Sequence, residues 1–173
     1  MSETLPTTLP ITALEVAEYL IYLDWKTSRL PKNQRVYWCP ITNLKLHKLL
    51  YYCQANTLLA IKKPLFHCLI HAWQYGPAVP TVYNYYHSYE STFFYEINHL
   101  HKKYAFLEDN DTNFNNISDT FKKYISEVYK MFFAQTAKKM VNDLQKQYPW
   151  VVAYHESPDT EIKIIDIYEY FSK

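Results

Sequence analysis

Histidine and cysteine are the first residues whose spacing could do chemistry. His67 and His71 stand four residues apart with Cys68 between them. On a helix that spacing puts both imidazoles on one face, as paired zinc ligands are placed. No carboxylate follows at a spacing that would complete a ligand set, so the favoured reading is two histidines on an irregular apolar segment. His99 and His101 would share a face only in a strand, and the same reading applies. Cys39 precedes a proline in a loop and could be exposed, but no base is signalled beside it. Cys53 falls on the apolar face of a helix, where a thiol packs as a small hydrophobe. Paired carboxylates occur only in Glu108-Asp109-Asn110-Asp111, a stretch too polar to perturb them by burial. With one glycine in 173 residues, the chain has no phosphate-binding Gly-rich loop and no dinucleotide fingerprint. No catalytic residue, metal ligand or cofactor is expected.

Binding is the chemistry that remains. The chain carries 18 Tyr, 9 Phe and 4 Trp. Tyrosine joins an apolar ring to a hydroxyl and suits both half-buried seams and protein interfaces. The run Tyr83-Asn84-Tyr85-Tyr86-His87-Ser88-Tyr89 could stack single-stranded bases, but no Lys or Arg is interleaved with it. Net charge is +1, far from the basic excess of a dedicated nucleic-acid binder. Nucleic acid is therefore disfavoured, and a protein surface suits the run better. Three cysteines without C-x-x-C spacing point to free thiols in a reducing compartment. No segment approaches the ~20 apolar residues that cross a bilayer. The expectation is a cytoplasmic protein that needs no membrane.

These residues must be positioned by helices. Thr12 and Glu15 form a capping box that opens a helix running to about Trp25, with Val16, Ala17, Leu20 and Leu23 on one face. Residues 26–40 read as a basic loop. Thr42 or Asn43 caps a second helix to about Ile61. Its Leu46, Leu49, Leu50, Cys53, Ala60 and Ile61 line one face, and Leu44, Tyr51, Ala55, Leu58 and Leu59 nearly the opposite one. A helix apolar almost all round is a buried one. Its polar residues are left narrow strips, Lys45 with Lys48 and His47 with Gln54. The lysine strip either meets an acidic partner or is the wet edge of the helix.

Pro64 ends this helix, and Leu65–Tyr75 is a short strand or an irregular segment. The only glycine comes next, in Trp73-Gln74-Tyr75-Gly76-Pro77, a rigid aromatic corner where the backbone needs glycine. A short helix covers Thr81 to about Ser88, and residues 90–104 are helix or strand. Residues 108–116 form an acidic, Asn-rich loop. Ser118 caps an amphipathic helix with Phe121, Tyr124, Ile125, Val128 and Phe132 as its stripe. Thr136 caps another through about Gln147, which Pro149-Trp150 breaks. Ile162, Ile164 and Ile165 read as extended, with Asp166 capping a last turn to Phe171. Residues 1–11 read as an extended Thr/Pro-rich lead. The fold class is mainly α: one compact domain over 1–173 around a buried central helix at about 42–61, with room for a small β element.

The stretch from Asn43 to Tyr52, then Pro64-Leu65-Phe66, then Ala72-Trp73-Gln74-Tyr75-Gly76-Pro77-Ala78-Val79-Pro80 and Val82-Tyr83, resembles the Panacea antitoxin-domain family of SocA-like and GepA-like phage-associated proteins. Pro149-Trp150, Ile164-Ile165, Tyr170-Phe171 and the opening Val16-Ala17-Glu18-Tyr19-Leu20 resemble further family features. His47 departs from the usual Gln, Ala78 from the usual Val, and the Thr-His that often precedes Pro-Trp is absent. The resemblance implies a helical bacterial or phage domain that neutralises a toxin by direct protein binding. Some members add a DNA-binding segment, for which this chain is expected to have no room.

The expected function is therefore a non-enzymatic antitoxin with a cognate toxin protein as partner and a second copy of the chain as a further candidate. Its contact surface is placed on Trp73, Tyr75, Tyr83, Tyr85 and Tyr86 with Lys45 and Lys48 beside them. Asn43, Leu46, Leu49, Leu50, Gly76, Pro77, Pro149 and Trp150 are read as maintaining the motif's structure, a reading that also suits Trp73. Two other readings compete. One is an adaptor that delivers a client to a protease or alters a host protein. The other is an enzyme using Cys39 or the His67/His71 pair.

Overall fold

The computed structural model describes residues 11–106 and 114–173. The Thr/Pro-rich lead and most of the acidic loop lie outside the described residues. The described residues form eight α-helices and one hairpin: α1 (Ala13–Ser28), α2 (Asn43–Ile61), β1 (His71–Trp73), β2 (Gly76–Ala78), α3 (Pro80–Tyr86), α4 (Asn98–Phe106), α5 (Asp119–Phe132), α6 (Ala137–Leu144), α7 (Tyr148–Glu156) and α8 (Ile164–Phe171). Short 3-10 turns occupy Lys32–Gln34, His87–Tyr89 and Phe94–Glu96. The molecule is mainly α with a small β element, as the sequence predicts.

The apolar girdle of α2 sets the architecture. α1, α3, α5, α6, α8 and β2 all pack against it. Leu46, Leu49, Leu50, Tyr51 and Cys53 have no exposure. Each such leucine contributes about 1.5–3 kcal/mol through burial. Thr42 caps the helix by accepting the Lys45 N–H at 3.2 Å, with Asn43 as the first helical residue. Lys62, left-handed at φ 56°, closes the far end. That far end is wet: Leu59, Ala60 and Ile61 are exposed. The pillar is buried for most of its length and protrudes for its last turn.

Gln54 anchors the segment that leaves this helix. Its Oε1 accepts the N–H of Leu65 at 2.8 Å and of Phe66 at 3.2 Å, and its Nε2 donates to the Phe66 carbonyl at 2.9 Å. Pro64-Leu65-Phe66 is thereby stapled to α2 before the chain enters β1. The hairpin pairs His71 with Ala78, Ala72 with Pro77 and Trp73 with Gly76, leaving Gln74 and Tyr75 as a two-residue turn. Gly76 takes φ +90°, a conformation that L side chains rarely adopt.

Several boundaries differ from expectation. α1 continues to Ser28, because Thr27 is drawn into a buried network instead of solvent. Residues 90–104 become a 3-10 turn and α4. Pro149 opens α7 instead of only ending its predecessor, since a proline in the first helical turn needs no N–H partner. The isoleucine tail is only partly extended. Ile162 donates its N–H to the Ile70 carbonyl at 2.7 Å and His71 bridges Glu161, so this stretch flanks β1. α8 then starts at Ile164, which puts Asp166 inside its first turn and not at its cap.

Candidate functional site

The hairpin, the first half of α2 and α3 enclose a cleft of about 470 Å³. Its walls carry Trp73, Tyr75 and Tyr83, with Glu90 and Ser91 at one side, and its lining includes Asn43, His47, Lys48 and Gly76. Helical spacing explains the α2 contribution: 43 and 47, like 44 and 48, sit one turn apart on adjoining strips. Trp73 and Tyr83 meet edge to face with ring centroids 5.0 Å apart. The indole of Trp73 donates to Asp159, which also bonds His71 Nδ1 at 2.8 Å, and Trp150 donates its indole N–H to the Trp73 carbonyl at 3.0 Å. The corner is therefore braced from behind by the C-terminal third of the chain. Those two bonds to Asp159, His71 first, hold its carboxyl below the usual carboxylate range.

The polar side of the cleft is buried. Lys48 is 2% exposed, and its ammonium donates to the Pro77 carbonyl at 2.9 Å. Burial alone lowers its pKa to about 7. His47 Nδ1 accepts the Val79 N–H at 3.2 Å, which leaves the proton on Nε2. That Nε2 and the Asn43 Oδ1 are both buried without a hydrogen-bond partner among the described residues. Burial, and then the Lys48 charge, lower the His47 pKa to about 3, so the ring is neutral at physiological pH. Asn43 Nδ2 donates to the Tyr86 carbonyl at 3.4 Å.

The structure buries three of the expected contact residues. Lys45 and Lys48 are not a solvated strip. Their aliphatic stems fill core space, and their ammoniums find carbonyl oxygens instead of water. Lys45 donates to the Cys39 carbonyl at 2.6 Å and to that of Phe133 at 3.5 Å. Burial lowers its pKa, opposed by the neighbouring Asp24. Tyr86 is 4% exposed and packs edge to face on Phe94. Tyr75 and Tyr85 are open to solvent at 60% and 65%. The cleft thus gathers Lys48, Trp73, Tyr75 and Tyr83 with Asn43 and Gly76. Lys45, Tyr85 and Tyr86 do not line it. Leu46, Leu49, Leu50, Pro77, Pro149 and Trp150 are interior.

Sequence reading missed the partner of Lys45. Asp24, with no exposure, accepts from Trp38 Nε1 at 2.7 Å, Ile41 N–H at 2.9 Å and the Tyr129 hydroxyl at 3.0 Å. Burial raises its pKa against the pull of those donors and of Lys45. Nothing in a lone aspartate on an amphipathic helix announces such a hub. His67 and His71 do not share a helix face: His67 is exposed, and His71 lies in β1. Among the described residues no group of three or more His, Cys, Asp or Glu could hold a metal ion. Cys39 is half-buried, with its thiol on the Ala134 carbonyl at 3.4 Å. No described helix is long and apolar enough to cross a membrane.

A second hollow of about 1060 Å³ separates the end of α1 from α5, with Lys26, Arg29 and Lys130 around Leu30 and Phe133.

Comparison with known proteins picks out the same part of the chain. The family model described as antitoxin SocA-like, Panacea domain matches residues 46–151. Antitoxin SocA of Caulobacter vibrioides (strain NA1000 / CB15N) is 43% identical over 44 residues, which cover 25% of this chain and 23% of that protein. No solved structure matches. The matched span takes in most of α2, the hairpin and α3 through the opening of α7, and therefore most of the cleft.

Proposed function

The chain belongs to the SocA-like Panacea domain family, and from that premise we propose that it is the antitoxin of a toxin–antitoxin pair. It acts without catalysis, in the cytoplasm, as one domain that binds its toxin protein directly. The observation that carries this reading is the family match across residues 46–151, which include the aromatic corner. Tyr75 and Tyr85 support it, since large amphipathic rings held on a braced frame make good interface anchors. Trp73 and Tyr83, packed edge to face, form one wall against which a partner's side chain seats. The buried Lys48 contributes through the lining of the cleft, not as a surface charge.

Co-expression with the adjacent toxin gene tests the proposal. Growth should be rescued, and the two chains should co-elute in gel filtration. Absence of both outcomes would end the antitoxin reading. Rescue accompanied by a fall in toxin level in a pulse-chase would favour delivery to a protease over occlusion.

A further inference from the structure

The cleft holds more polar capacity than its own chain uses. His47 offers a neutral Nε2–H, Asn43 offers Oδ1, and neither has a partner among the described residues. Lys48 has three N–H bonds and, among the described residues, donates one to the Pro77 carbonyl. All three residues are at least nine-tenths buried and line one cavity. Unmet donors and acceptors of this kind are costly in an apolar interior, and each one in a native fold calls for a partner such as an ordered water, an ion or a ligand. Two donors, one of them charged, together with one acceptor match a carboxylate beside an N–H. The aromatic walls match an apolar or planar body attached to it. A single buried cation suits a monoanion better than a phosphate dianion.

We propose that this cleft is a binding site for a carboxylate with a neighbouring N–H, the end group of a polypeptide chain or of an N-acylated amino acid. The carboxylate takes the Lys48 ammonium and the His47 Nε2–H, the ligand N–H takes Asn43 Oδ1, and the body lies among Trp73, Tyr75 and Tyr83. Glu90 is the carboxylate facing the incoming acid, and its oxygen is engaged by the Tyr83 hydroxyl at the rim. The site does not depend on the toxin reading, because it is probed on the isolated chain.

The test is calorimetric titration with N-acetylphenylalanine and with its C-terminal amide, each at pH 6 and pH 8. Wild-type protein should bind the acid at least tenfold more tightly than the amide at pH 6. From pH 6 to pH 8 the acid should weaken about tenfold, because Lys48 loses its proton through this range while His47 stays neutral and the Tyr83 hydroxyl, raised by its bond to Glu90, keeps its proton. K48M should abolish both the acid preference and the pH dependence. E90Q, at an exposed position that does not threaten folding, should bind the acid about twofold more tightly. A tetrapeptide ending in phenylalanine separates the two sources. Tighter binding than N-acetylphenylalanine identifies a chain terminus, and equal or weaker binding a free acyl amino acid. If acid and amide bind wild-type protein within twofold of each other, or if neither binds, the proposal is overturned.

Discussion

Lysine 48 illustrates what residue-level reading can and cannot reach. A lysine on a helix reads as a wet edge, and only three-dimensional packing shows its stem inside the core. Its titration has a stability consequence. The pKa lies near 10.5 in the unfolded chain and about 7 in the folded one. Between those values the unfolded chain holds a proton that the native chain has released, so stability rises with pH, by at most about 1.4 kcal/mol per unit. It is lost again as pH falls towards 7. Lys45 is shifted the same way, while the raised pKa of buried Cys53 begins to oppose the trend near pH 9 and those of buried Tyr51, Tyr104 and Tyr129 above pH ~10. Urea unfolding at pH 7 and pH 9 should therefore show wild-type protein more stable at pH 9, and Lys48→Met should flatten much of the difference. Gly76 is the opposite case, legible because it is the only glycine in the chain. Its φ of +90° leaves alanine strained, although the nearest Lys48 side-chain atoms, 3.4 Å from a notional Cβ, leave room for the methyl. Gly76→Ala should lower stability by about 1–3 kcal/mol in the same assay.

At the scale of elements, periodicity identified α1, α2, α5 and α6 with their caps, since apolar stripes and Ser/Thr signals are local. It failed where the deciding contact lies far along the chain. The tail flanks β1 through bonds to Ile70 and Ala72, about 90 residues away, and no local pattern encodes that pairing. Periodicity also misjudged polarity along α2. Leu59, expected on an apolar face, is 40% exposed, whereas Gln54 in a supposed polar strip has no exposure. Two substitutions on this helix should therefore behave contrary to their chemistry. Gln54→Leu adds an apolar residue to the interior but strands the Leu65 and Phe66 amides and the Phe66 carbonyl, at about 2–5 kcal/mol. Leu59→Gln places a polar residue on the same helix and should stay within about 0.5 kcal/mol of wild type. Chemical denaturation of the two variants side by side decides it.

For the whole molecule, the division of labour is between a polar-stapled interior and an aromatic corner facing out. Buried residues from all eight helices join one cluster, and Asp24, Gln54 and Gln147 fix loops and helices to it through hydrogen bonds. The corner stands on this frame but adds little to it at Tyr75, whose ring is mostly in water, or at Tyr85, whose ring rests on Tyr86. Stability and partner binding should separate accordingly. Truncating an anchor tyrosine at an interface removes about 1–2 kcal/mol of binding, whereas truncating one exposed ring on a free surface changes folding by about 0.5 kcal/mol or less. The double variant Tyr75→Ala/Tyr85→Ala should therefore weaken the toxin complex by about 30-fold or more in a binding titration while its urea midpoint stays close to wild type. Lys26→Ala, at the hollow between α1 and α5, serves as the comparison and should leave the complex intact. The reverse pattern, with the tyrosine variant binding normally and the Lys26 variant binding poorly, would move the contact surface to the basic hollow. The same frame would then present a different face, and the cleft would answer to its carboxylate ligand alone.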